Sequence, residues 1–131
     1  MRFFALIGLL ALTLSCKDQE INKQYTIDEG QTEKIMTDGK ATLLVGKIQN
    51  SLCPPNAYCI RAGEGVVDMV ASQNGQSVSF RLCTGPDCQT TQKGKPSQTV
   101  INVGGRVWTI QLATVIGPTA PQRAVVNVQI Q

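Results

Sequence analysis

Two dipeptides constrain this chain more than any other feature. Asn74-Gly75 separates the alternating runs Gly65 to Ala71 and Ser77 to Leu82, and Gly104-Gly105 separates Thr99 to Val103 from Arg106 to Ile116. A two-residue connection with both residues at positive φ is the type I′ turn, whose twist matches that of two antiparallel strands. Asn-Gly and Gly-Gly adopt it at little steric cost. Each dipeptide therefore predicts a tight hairpin, and two hairpins predict an antiparallel sheet.

Further alternation runs through Gln31 to Met36, Thr42 to Ile48 and Arg123 to Ile130, with Asp38-Gly39, Gly117-Pro118 and Pro121 as separators. No segment beyond Tyr25 holds helical spacing. Val78, Phe80 and Leu82 share one face of a strand, as do Trp108, Ile110 and Leu112, and Val126, Val128 and Ile130. Such faces can build one core between two sheets. About seven short strands in residues 25–131 make the chain all-β and favour an antiparallel β-sandwich over a barrel, with the immunoglobulin-like order as one candidate topology. A chain of 131 residues allows one such domain.

Residues 1–15, MRFFALIGLLALTLS, carry one cation at Arg2 and an apolar run from Phe3 to Leu14, too short for the roughly 20 residues of a membrane span. They read as a secretory signal and are set aside from the fold. A small residue, Ser15, stands directly before Cys16, and the segment resembles a bacterial lipoprotein signal in which Cys16 becomes the lipidated mature N-terminus. Thr13 and Leu14 depart from the usual residues of the lipoprotein box, in the loose manner common among lipoproteins of the Bacteroidetes. The run Cys16-Lys17-Asp18-Gln19-Glu20 resembles their acid-rich export signal to the outer face of the outer membrane. The resemblance implies a cell-envelope, outer-membrane lipoprotein whose partner through the anchor is the membrane. Its acyl chains exceed the two-signal threshold for stable attachment. A conventional signal peptide cut nearby is the alternative, leaving Cys16 a thiol. Residues 16–24, polar and without apolar periodicity, read as a flexible tether.

Five cysteines are an odd number for an exported chain, and setting Cys16 aside leaves Cys53, Cys59, Cys83 and Cys88. In an oxidising compartment the default is two disulfides. Of the three connectivities, the local pairs Cys53 with Cys59 and Cys83 with Cys88 are favoured, since each closes a loop already bent by Pro or Gly; the runner-up crosses them and staples the loops together. Structural zinc usually takes cysteine pairs two to four residues apart, and neither pair is the CxxC of redox catalysis, so neither a metal nor a cofactor is expected.

The chain has no histidine, which removes Ser-His-Asp hydrolysis and HExxH zinc chemistry. A formal net charge of +3, one less once Arg2 leaves, without a basic cluster, gives no reason to expect nucleic acid. Glu64, Asp68 and Asp87 are the acids nearest the loops, with nothing in the sequence to fix two of them at a glycosidase spacing. The chain is therefore not expected to be an enzyme.

From Asn50-Ser51-Leu52-Cys53-Pro54 through Cys59-Ile60-Arg61-Ala62-Gly63-Glu64 the sequence resembles a group of small uncharacterised bacterial lipoproteins. In those, Asp-Ser-Arg-Cys-Pro is followed by Cys-Val/Ile-Trp-Ala-Gly-Glu/Asn and a strand. The resemblance implies an envelope β-domain with a Cys53 to Cys59 clip and no established activity. Asn50, Leu52 and Arg61 replace the group's Asp, Arg and Trp.

The function expected is that of a non-catalytic surface module that binds a protein partner or another macromolecule, or serves as an accessory subunit beside the membrane, since loops on rigid β-scaffolds carry recognition. The candidate binding loop comprises Pro54, Pro55, Asn56, Tyr58 and Arg61, with Tyr58 as its contact anchor unless it packs on a proline. A clipped loop stiffened by two prolines has a second reading, an inhibitor of a protease or glycosidase, because preorganisation lowers the ordering cost of binding. Trp108 alternates with core residues, which leaves few rings to stack on a glycan.

Overall fold

The alternation is realised as eight strands: β1 (Ile21–Asp28), β2 (Thr32–Lys34), β3 (Ala41–Asn50), β4 (Gly65–Gln73), β5 (Gln76–Thr84), β6 (Gln98–Val103), β7 (Arg106–Ile116) and β8 (Arg123–Ile130). The computed structural model describes residues 20–35, 39–88, 96–117 and 121–131; residues 1–15, read above as a signal, Cys16 and Lys17 to Gln19 lie outside the described residues. Every element among the described residues is a strand. They form two four-stranded antiparallel sheets, ordered β1-β8-β7-β6 and β2-β3-β4-β5, which pack face to face as a sandwich.

Each strand pairs with a sequence neighbour, apart from the closing pair β1 with β8. That order is a meander and not the Greek key of an immunoglobulin domain. The chain changes sheet between β1 and β2 through a short turn, where Gly30 N donates to Val45 O at 2.8 Å and Val45 N to Gln31 O at 3.1 Å. On the opposite side Cys83 N donates to Pro96 O at 3.0 Å, linking β5 to the residues before β6. Both long sides are thus stitched, with the connectivity of a flattened up-and-down barrel.

The strand that sequence reading misses is β1. Ile21 to Gln24, assigned above to the tether, pair in register with Ile130 to Asn127. Lys23 breaks the apolar period of Ile21, Tyr25 and Ile27, and the alternate positions Asn22, Gln24 and Thr26 are exposed, so half of the strand looks like linker. Lys23 escapes burial by lying over the Tyr25 ring, its ammonium 5.3 Å from the centroid. Burial, and then the charge of Glu33, raise the Tyr25 phenol above its ordinary value; it donates to Ile35 O at 3.2 Å.

The core lies between the inner faces. Trp108, Ile110 and Leu112 on β7 and Val126, Val128 and Ile130 on β8 meet Leu43 and Val45 on β3, Val67, Met69 and Ala71 on β4, and Leu82 on β5. Val78 and Phe80 point the same way as Leu82 but stay partly exposed, because β5 is an edge strand. Bulges between Val45 and Ile48 and between Leu112 and Thr114 bend β3 and β7. The Glu29 carboxylate accepts from Ile48 N at 2.6 Å, satisfying a donor next to the first bulge.

The meander gives the sandwich two unlike ends. At one, here the turn end, both predicted hairpins turn at positive φ: Asn74 at 50° and Gly75 at 77°, Gly104 at 59° and Gly105 at 80°. The two turns touch across the sheets: Gly104 N donates to Gln76 Oε1 at 2.7 Å, and Asn74 Nδ2 to Gly104 O at 3.4 Å. Below them the buried Gln73 accepts from Trp108 Nε1 at 2.9 Å through its Oε1. A Cβ on Gly104 would stand 2.9 Å from both Gln73 Cγ and Gln73 O, so glycine there serves close approach as well as φ. The β1 N-terminus also lies at this end, since Ile21 pairs with Ile130, which pairs with Trp108. The β3–β4, β5–β6 and β7–β8 connections share the other end, here the loop end.

Candidate functional site: the clipped loops

Two disulfides join Cys53 to Cys59 and Cys83 to Cys88, the local pairing favoured from sequence. Their environments differ. Cys83 and Cys88 are buried in a small cluster with Val66 on the outer face of the second sheet. Cys59 is exposed and Cys53 only half-buried, in a hairpin that carries β3 and β4 past the sheet. Ser51 N donates to Glu64 O at 2.8 Å and Cys53 N to Ala62 O at 3.0 Å, so the ladder continues for two more rungs. The hairpin then closes through a turn in which Ala57 N donates to Pro54 O at 3.1 Å.

Pro54, Pro55, Asn56 and Tyr58 are all exposed along this tip. Tyr58 and Ile60 have 109% and 106% of their reference accessibility, so both project fully into solvent and Tyr58 packs on neither proline. Sequence reading singled out Tyr58 and overlooked Ile60, two residues on. The signal was available, because an apolar side chain between a clip and a charged residue has no core to enter.

Arg61 belongs to the base of the hairpin instead. Its Nε lies 3.4 Å from Asp87 Oδ2, and the same oxygen accepts from Gly63 N at 3.1 Å. Asp87 N donates in turn to Gly63 O at 3.2 Å. The second clipped loop thus grips the first through one carboxylate and a reciprocal backbone pair, a noncovalent version of the crossed staple. Gly63 sits at φ 83°, where a Cβ would fall 1.9 Å from Ser51 O; Gly85 lies against Leu52 and Glu64. Substitution at Gly63 would splay the arms of the hairpin itself, and substitution at Gly85 would push the two loops apart.

Asn50 anchors the other flank. Its Oδ1 accepts from Leu52 N at 3.1 Å while Nδ2 donates to Gly117 O at 2.9 Å, a bond an aspartate could not make. Between the hairpin and the end of β7 is a groove of about 360 Å³, lined by Asn50, Leu52, Pro54, Pro55, Val115 and Gly117 among others.

The three acids near the loops are already engaged. Arg81 donates to Asp68 through Nε and Nη2, which raises the guanidinium pKa, and Asp87 serves the loop contact. Glu64 lies close to the sulfurs of Cys83 and Cys88, but those sulfurs are bonded to each other and offer no thiolate to a metal. The arrangement is a projecting, disulfide-closed tip with Tyr58 and Ile60 in solvent. Comparison of the chain with protein-family models, curated proteins and solved structures finds no match.

Proposed function

We propose that the protein is a non-catalytic cell-envelope lipoprotein whose clipped β3–β4 hairpin recognises a protein partner. The observation that carries this reading is the complete exposure of Tyr58 and Ile60 on a backbone held by a disulfide, two prolines and Asp87. An aromatic and an aliphatic anchor on a preorganised turn give up little conformational entropy on binding, which is what favours a contact hot spot.

The polarity of the sandwich supports the same reading. Four residues, 17–20, separate Cys16 from β1, and β1 starts at the turn end. A lipid on Cys16 then holds the turn end near the bilayer, while the clipped hairpin stands beyond the far end of β7, whose 11 residues at about 3.3 Å each span roughly 36 Å. The anchor would present the loops outward. Mass spectrometry of membrane fractions should find a diacylglyceryl-modified Cys16 as the first residue; an unmodified Cys16 in a soluble chain would remove the anchor from this account.

A second reading, inhibition of a protease or glycosidase, draws on the convexity of the tip, since a projecting stiff turn fits a concave active site. Capture from envelope extracts with the full chain, against a Tyr58→Ala/Ile60→Ala form, separates the readings. Retention of an enzyme whose activity falls on binding selects inhibition, and retention of a structural envelope protein selects the accessory role. Equal capture by both forms would take recognition away from the hairpin.

A further inference from the structure

The outer face of the first sheet has an unusual composition. Register places Gln24 opposite Asn127, Asn127 opposite Gln111, and Gln111 opposite Gln98, so four amides form one row across β1, β8, β7 and β6. The row beside it runs Asn22, Gln129, Thr109 and Val100. No position in either row is charged, and six of the eight are amides. Gln24 Nε2 donates to Asn127 Oδ1 at 3.0 Å and Asn127 Nδ2 to Gln111 Oε1 at 3.3 Å, so the central side chains are oriented by one another. Asn22, Gln98, Thr109, Gln111, Asn127 and Gln129 line a shallow trough of about 290 Å³.

Asparagine is disfavoured in strands, yet Asn127 occupies the middle of β8, which has neighbours on both sides. The outer face of the second sheet is ordinary by comparison, with the Asp68 and Arg81 ion pair, Lys47 and exposed serines. A polyanion or polycation finds no countercharge on the amide rows. An apolar partner would bury the amides without hydrogen bonds, at a cost of about 1 to 3 kcal/mol each. Each amide offers both donor and acceptor, so the complementary ligand carries closely spaced uncharged groups that also do both, namely sugar hydroxyls.

We infer that the outer face of the β1-β8-β7-β6 sheet binds a neutral polysaccharide through hydrogen bonds from Gln24, Asn127, Gln111 and Gln98. Trp108, buried on the opposite face, takes no part, so the site works without a stacking platform. It is separate from the clipped hairpin and does not depend on the role proposed for it.

Affinity electrophoresis of the full chain in gels containing dextran, pullulan or laminarin, with alginate as the acidic control, tests the inference. At least one neutral glucan should retard the protein and alginate should not. The Gln111→Ala/Asn127→Ala form should raise the apparent Kd at least tenfold with an unchanged unfolding midpoint, and Asn127→Asp, which replaces a donor by a charge, should do the same. Tyr58→Ala should leave retardation unaltered. No retardation by any of the three glucans, equal retardation by alginate, or full binding by both amide variants would overturn the site. A dimer in solution that these variants dissolve, without glucan binding, would give the face to a second copy of the chain and overturn it equally.

Discussion

The two ends of this sandwich are built from different materials. The turn end uses glycine dipeptides, two connections of two residues each, and buried polar contacts that cross from one sheet to the other, from Trp108 to Gln73 and from Tyr25 to Ile35 O. The loop end uses long connections, two disulfides and a carboxylate bridge, and it leaves Tyr58 and Ile60 in solvent. Contacts at the turn end join the sheets, so breaking them should unfold the domain. At the loop end the disulfides and the Asp87 contacts tie loop residues to loop residues, so breaking them should free a surface without opening the core. The sheet-joining contacts and the exposed apolar side chains thereby lie at opposite ends of the same eight strands.

The hardest blow to the turn end is Trp108→Ala, which removes a fully buried aromatic and its hydrogen bond to Gln73; we expect a loss of about 3 to 5 kcal/mol in denaturant unfolding. A loss within about ±0.5 kcal/mol would mean that the tryptophan is not part of the core and would dissolve the comparison. Gln73→Ala keeps the ring but leaves its buried N–H without its partner and opens a gap beneath Gly104, so a loss of about 1 to 3 kcal/mol is expected by the same measurement.

At the loop end the clips themselves should be unequal. In the chain-entropy picture loops this short gain less than about 3 kcal/mol from closure. Cys83→Ser/Cys88→Ser adds to that loss two hydroxyls in the apolar cluster around Val66, whereas Cys53→Ser/Cys59→Ser places them at the surface and should cost less. Thermal unfolding of the two double variants side by side reads the difference. The smallest effect belongs to Tyr58→Ala, whose midpoint should match the parent within experimental error while partner capture weakens.

Sequence alone reached the parts of the molecule governed by short-range rules. The positive φ demanded at Asn74-Gly75 and Gly104-Gly105 is a local property, and so is the inward face of Trp108, Ile110 and Leu112. The local cysteine pairing was favoured for a similar reason, because Pro and Gly already bend both loops. Strand order was not legible, since seven or eight alternating runs fit a meander or a Greek key equally well. Strand β1 was hidden by Lys23, whose stem can share a buried face while its ammonium escapes over Tyr25. Gln73 could have been found, because it extends the inward set Val67, Met69 and Ala71, and a buried indole needs an acceptor. The amide row could not, because Gln24, Gln98, Gln111 and Asn127 become neighbours only once the register of four strands is known. The grip of Asp87 on Gly63 and Arg61 likewise required two loops to be brought together.

Residue-resolved amide hydrogen exchange on the oxidised protein tests the division between the ends most directly. The account predicts that the Trp108 indole N–H and the backbone amides of Ile110 and Val128 exchange only through global unfolding, with protection equal to the full unfolding free energy, while the amides from Tyr58 to Arg61 exchange through local openings many times faster. Protection at Tyr58 to Arg61 equal to that at Trp108 would make the clipped hairpin part of the cooperative core and contradict the account.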